Sequence, residues 1–162
     1  MNRPAGAVAI MAPDSTLGKL IAKRSGVDFS HVAIALGNGN TLDSTSPWTR
    51  ITTEDYWKNS KRYIEWYAPV VEFSEEETRL LKSIAKMIEG RIRYGYADLA
   101  EFLIKGVPGK RGHYLFCTYL VAEMYMVIRN LDLSGCEQPW NMDIRETLQA
   151  LRTSGHFVRM LQ

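Results

Sequence analysis

Cysteine and histidine are scarce in this sequence. It has two cysteines, Cys117 and Cys136, and three histidines, His31, His113 and His156. So few exclude a disulfide scaffold and a cysteine-rich zinc site, although one bridge between the two cysteines stays open. Long apolar runs are also missing. The first, Ala7 to Met11, is too short for a signal-peptide core and ends at Ala12-Pro13-Asp14. No stretch approaches the roughly 18 apolar residues of a membrane helix. Nor does charge of one sign accumulate. Twenty Lys+Arg against eighteen Asp+Glu leave a net charge of +2, which demands neither nucleic acid nor a membrane surface as partner. There are no repeats, low-complexity tracts or long linkers. These absences point to a protein kept in a reducing cytosol, with no stable membrane insertion.

What is present is the material of an ordinary core. The 162 residues are 46% hydrophobic and suit a single domain over 1–162. A domain of this size buries roughly 70% of the surface its unfolded chain exposes.

The pattern along the chain predicts mixed elements. Residues 6–11 read as a strand. Asp14-Ser15-Thr16 reads as an N-cap cluster, followed by Leu17, Leu20 and Ile21 at helical spacing and closed by Gly26. His31 to Leu36 reads as a buried strand, Gly37-Asn38-Gly39-Asn40 as a hairpin turn, and Thr41 to Ser44 as the returning strand. Ile51 to Trp57 reads as a short helix with Thr52-Thr53-Glu54-Asp55 at its start, and Arg62 to Pro69 as a strand. Ser74 followed by three glutamates opens a helix ending at Gly90. Further helices are expected over Leu99–Ile104, 117–130 and Asp143–Leu151, and a last strand over His156–Leu161. Helices and strands do not alternate regularly. That favours α+β, a small mainly antiparallel sheet packed against helices, over a doubly wound parallel sheet.

Chemistry concentrates at a few positions. Cys117 stands where a loop becomes a helix, within Leu115-Phe116-Cys117-Thr118-Tyr119-Leu120-Val121. A thiol there meets the positive helix end and unpaired N–H groups, which favour the nucleophilic thiolate. The same N–H groups can stabilise an oxyanion. Free cysteine is equally a common buried core residue. His31 begins an apolar strand and could act as base to a thiol, or simply be a satisfied strand-end histidine. Asp43 follows twelve residues later across the hairpin, where antiparallel pairing can return it to His31. Cys136 and His113 read as loop residues, and His156 as a strand-edge residue. Lys105, Lys110 and Arg111 form a basic cluster among glycines, by default a solvated loop. Trp48, Trp57, Trp66 and Trp140 read as core or lid residues, and Tyr63-Glu65-Trp66-Tyr67 as strand packing or a groove lining.

Four segments together resemble a known family. Asp28-Phe29-Ser30-His31-Val32-Ala33-Ile34 is similar to the "S-H-V-G-I" strand of the circularly permuted papain-like proteins. These belong to the NlpC-type superfamily, in the branch of YiiX-like hydrolases and lecithin retinol acyltransferase. Phe116 to Val121 resembles their "F-C-S-E-L-V", and Ser15 to Ile21 their "S-L-x-G-x-L-I". Gly90 with Tyr94 to Leu99 resembles their "G-x-x-Y-x-x-x-D-L". The matches run in the family's order over residues 6–130.

The resemblance implies a permuted papain-like fold and a thiol-dependent hydrolase of amide bonds. Cys117 matches the nucleophile, His31 the base, Asp43 the residue that orients His31, and Tyr94 a tyrosine near the oxyanion site. Expected substrates are peptides, cell-wall peptides among them, or other amides; a lipid-ester hydrolase or acyltransferase is the alternative. Nucleic acid is not an expected partner, and no cofactor is required. Cell-wall substrates would be met only after release or delivery of the protein. The chain departs from the family at Thr118-Tyr119, where Ser-Glu is common. The missing glutamate motivates another reading, a binding module on the same fold that has lost turnover.

Overall fold

The computed structural model describes residues 2–45, 47–60, 62–95, 99–100, 103, 117–134 and 142–161. Six strands form one sheet: β1 (Val8–Met11), β2 (His31–Gly37), β3 (Asn40–Ser44), β4 (Thr49–Thr53), β5 (Ile64–Pro69) and β6 (Phe157–Met160). Their order is β4-β3-β2-β1-β5-β6, antiparallel throughout. Five described helices accompany it: α1 (Thr16–Ser25), α2 (Glu54–Asn59), α3 (Glu75–Ile88), α4 (Cys117–Arg129) and α5 (Ile144–Thr153). The α+β class expected from the sequence is the one observed. None of the described helices is long and apolar enough to cross a membrane.

Local chemistry explains most boundaries. Ser15 caps α1 by accepting from the Gly18 N–H at 3.0 Å, and Gly26 ends it in the left-handed region at φ 69°. Reciprocal capping boxes, Ser74 with Glu77 and Asp143 with Glu146, start α3 and α5. The β2–β3 turn places Asn38 at φ 56° and Gly39 at φ 73°, the pair of positive values a two-residue hairpin requires.

One expected element is different. Residues 49–53 form β4, and the helix starts only at Glu54. Thr49, Ile51, Thr52 and Thr53 are β-branched and fit a pleated surface better than a helix turn. Their ladder to β3 pairs Leu42 with Ile51 and Asp43 with Arg50. Of the helix expected over 99–104, residues 99, 100 and 103 are described and are helical; the loop around Lys105, Lys110 and Arg111 lies outside the described residues. So do His113, Cys136 and Trp140.

The sheet separates two cores. On one face Val8, Ile10, Val32, Ile34 and Leu42 pack against Leu81 and Ala85 of α3 and Leu120, Val121 and Tyr125 of α4. On the other, Ala7, Ala9, Ala33 and Ala35 leave room for Trp57 and Trp66. Tyr63-Glu65-Trp66-Tyr67 is strand packing. Glu65 accepts from Tyr67 and Tyr63 at 2.7 and 3.1 Å and pairs with Arg152 and Arg159 at 3.2 and 2.9 Å. A carboxylate so fully engaged is a strut.

Candidate active site

His31 is the first residue of β2, and Asp43 lies on the neighbouring β3, where it pairs with Ala33. His31 therefore meets Asp43 diagonally, within reach of a long side chain. Its Nε2 hydrogen-bonds Asp43 Oδ1. Asp43 is fully buried, and the His31 side chain keeps only 13% of its exposure. The second Asp43 oxygen accepts from Arg50 Nε at 3.1 Å. Both oxygens of this carboxylate are thus satisfied by groups that are cationic or can become so, the condition under which a buried charge is tolerable.

Cys117 is the first residue of α4, 6% exposed, and its thiol is free. The next residue anchors the helix start, Thr118 Oγ1 donating to Met142 O at 2.7 Å. Burial alone would lower the His31 pKa. Asp43 first and Cys117 second, by charge and by hydrogen bonds, reverse that and push it up to about 10. Nε2 is occupied by Asp43, so Nδ1 is the ring nitrogen left for the thiol. The three residues form a chain, carboxylate to imidazole to thiol, with Arg50 behind the carboxylate.

Two cavities meet here. An apolar one is lined by Cys117, Leu99, Met142 and Ile144. A polar one of about 330 Å³ is lined by His31, Arg50, Arg62, Asp14, Tyr56 and Trp57. Ile21, Ser30 and Tyr94 border both. Tyr94 is held by its backbone N–H, which donates to Pro47 O at 3.0 Å beside the Trp48–Arg93 bridge.

The structure thus brings together His31, Asp43 and Cys117, and sets Tyr94 at the seam of the two cavities. His156 lies elsewhere, beside Val70 and Arg129. Arg50 and Arg62 were not singled out from the sequence. The cross-strand Asp43–Arg50 pair is the signal that finds Arg50, and it is readable only once 49–53 is taken as a strand.

Fold and arrangement define an α+β protein whose sheet carries a histidine–carboxylate pair against a thiol at a helix start. No protein-family model matches the chain, and no curated protein matches it. Among solved structures, the crystal structure of metalloprotein yiiX from Escherichia coli O157:H7 (DUF1105) is similar, with a TM-score of 0.71. The match covers 100% of this chain and 98% of that one at 12% identity. It is a likeness of fold over the full length, as the resemblance to YiiX-like proteins implied.

That protein's name raises the question of a metal. Among the described residues no group of three or more His, Cys, Asp or Glu is placed to hold one. Asp43 turns one oxygen to His31 and the other to Arg50. Both Asp43 oxygens are thus engaged by nitrogen donors, a donor set that suits an ion-pair chain.

Proposed function

We propose that this protein is a thiol-dependent hydrolase of amide bonds, with Cys117 as nucleophile, His31 as acid and base, and Asp43 as the residue that orients His31. The observation that carries the reading is the His31–Asp43 hydrogen bond at a site that the free thiol of Cys117, at the start of α4, also borders.

The chemistry follows from those contacts. The imidazolium form of His31 is favoured, so a Cys117 thiolate has a counter-ion. The thiolate attacks the substrate carbonyl carbon, forming a C–S bond and placing negative charge on oxygen. Backbone N–H groups at the start of α4 and the Tyr94 hydroxyl are the donors for that oxyanion. As the oxyanion collapses, the C–N bond breaks and His31 passes its proton to the departing nitrogen. The thioester left on Cys117 is cleaved by water: neutral His31 takes a water proton, the hydroxide adds to the carbonyl carbon, and collapse breaks the C–S bond, releasing the acid and restoring the thiolate beside imidazolium His31. The substrates that suit this route are peptides and related amides, including those of cell walls.

The test is Cys117→Ala and Cys117→Ser, assayed with wild type against peptide, amide and lipid-ester panels. Wild type should also alkylate at Cys117 faster than a free thiol at neutral pH, and intact-mass measurement should trap an acyl adduct there. Hydrolysis unchanged in Cys117→Ala would overturn the mechanism. Alkylation no faster than a free thiol, with no turnover, would favour the binding module.

A further inference from the structure

Arg62 is the least satisfied cation near the site. Its side chain keeps 18% of its exposure and pairs with Asp14. Among the described residues its Nε is buried with no hydrogen-bond partner. An unpaired N–H on a largely desolvated guanidinium is costly, and an acceptor arriving with a ligand removes that cost. Trp57 fixes the group, its ring centroid lying 5.9 Å from Arg62 Cζ and 5.8 Å from Arg50 Cζ. Arg50 is further held over Tyr56, 4.8 Å from the ring centroid. Two guanidinium groups therefore flank one indole in a cavity that His31 also lines. The one carboxylate among its described lining residues, Asp14, keeps 40% of its exposure and sits where an incoming anion can displace it.

Direction comes from the hydrolase reading, on which this inference rests. His31 must reach the departing atom, so the leaving group lies on the His31 side, in the polar cavity. The acyl group then lies on the Cys117 side, among Leu99, Met142 and Ile144. We infer that the substrate joins an apolar acyl group to a leaving group that bears an anion, carboxylate or phosphate, and that Arg62, with Arg50 beside it, binds that anion. A planar guanidinium with several N–H donors matches either oxyanion.

The test uses Cys117→Ala, so that binding is read without turnover. Titration calorimetry at pH 7 compares N-hexanoylglycine, N-hexanoyl-O-phosphoethanolamine and the neutral N-hexanoylglycinamide. One or both anions should bind at least tenfold more tightly than the amide, and the tighter of the two identifies the natural group. Adding Arg62→Met should erase the preference while leaving glycinamide affinity within threefold. Adding Asp14→Asn, which removes the competing carboxylate and keeps Arg62, should tighten anion binding. Circular dichroism checks that each variant is folded, and the Asp14→Asn arm decides if Arg62→Met is not. Equal affinity for anion and amide, a preference that survives Arg62→Met, or no binding of any probe at millimolar concentration overturns the inference. Wild-type turnover separates the two ideas. Anion-selective binding without turnover leaves the anion site and sinks the hydrolase. Equal turnover of charged and neutral probes does the reverse.

Discussion

Asp43→Asn isolates the charge at the centre of the site from its shape. The asparagine can still turn its carbonyl oxygen toward His31, so orientation is kept in part, whereas the negative charge and one partner of Arg50 are lost. The His31 pKa is raised from 6.5 to about 10. At 1.36 kcal/mol per pH unit, that displacement means that its partners outweigh desolvation by about 5 kcal/mol. Asp43 leads those partners, with Cys117 second. A single opposite charge at this range moves a pKa by about 1–3 units, so Asp43→Asn should bring His31 down to about 8. The sign for stability follows from linkage. A raised folded pKa contributes stability that is complete below the unfolded value of 6.5 and is lost as pH rises through about 10. The variant should therefore be about 3 kcal/mol less stable than wild type at pH 6, with the gap narrowing between about pH 8 and 10 and nearly closed at about pH 10.5, where His31 is largely neutral in both. The assays are NMR titration of the His31 Cε1 proton and urea unfolding at pH 6 and 10.5. The alkaline limb of kcat/KM, which reads the free enzyme, should move down by the same amount as His31. A wild-type His31 that titrates near 6.5, or one that does not move in the variant, would refute the electrostatic reasoning.

Two further substitutions examine the frame around the thiol. Tyr94→Phe removes the hydroxyl proposed as an oxyanion donor and should lower kcat by about 10²-fold with KM changed little, read by steady-state kinetics on any turned-over amide; a rise in KM at constant kcat would make Tyr94 a binding residue. Thr118→Val leaves the buried Met142 carbonyl without its 2.7 Å donor and should cost about 1–3 kcal/mol in urea unfolding. A cost below about 0.3 kcal/mol would show that α4 does not depend on that tie.

The frame was legible where the signals are local. The α1 boundaries followed from Ser15 and Gly26, and the start of α3 from Ser74, because capping is settled within a few residues. The Asn38-Gly39 turn fixed the β2–β3 pairing, and with it the approach of Asp43 to His31. Residues 49–53 were less readable. Glu54 and Asp55 are good helix-start residues and drew the preceding threonines into a helix. Sheet pairing with β3 decides for a strand instead, and that contribution is tertiary.

The same misplacement hid half of the site's electrostatics. An arginine in a short helix has no fixed partner, whereas an arginine on β4 opposite Asp43 is bound by register to the carboxylate that holds His31. Arg62 was harder still. Its partner Asp14 belongs to the segment before α1, 48 positions away, and neither residue lies in a pattern that announces the other. Cys117 stands between these extremes. Its place at a helix start is visible in the sequence, but a helix start does not say which strand end it faces. That link came from the order of four segments and a resemblance. The reactive elements of this site are thus local or familiar in sequence, while the cations that surround them are set by long-range packing.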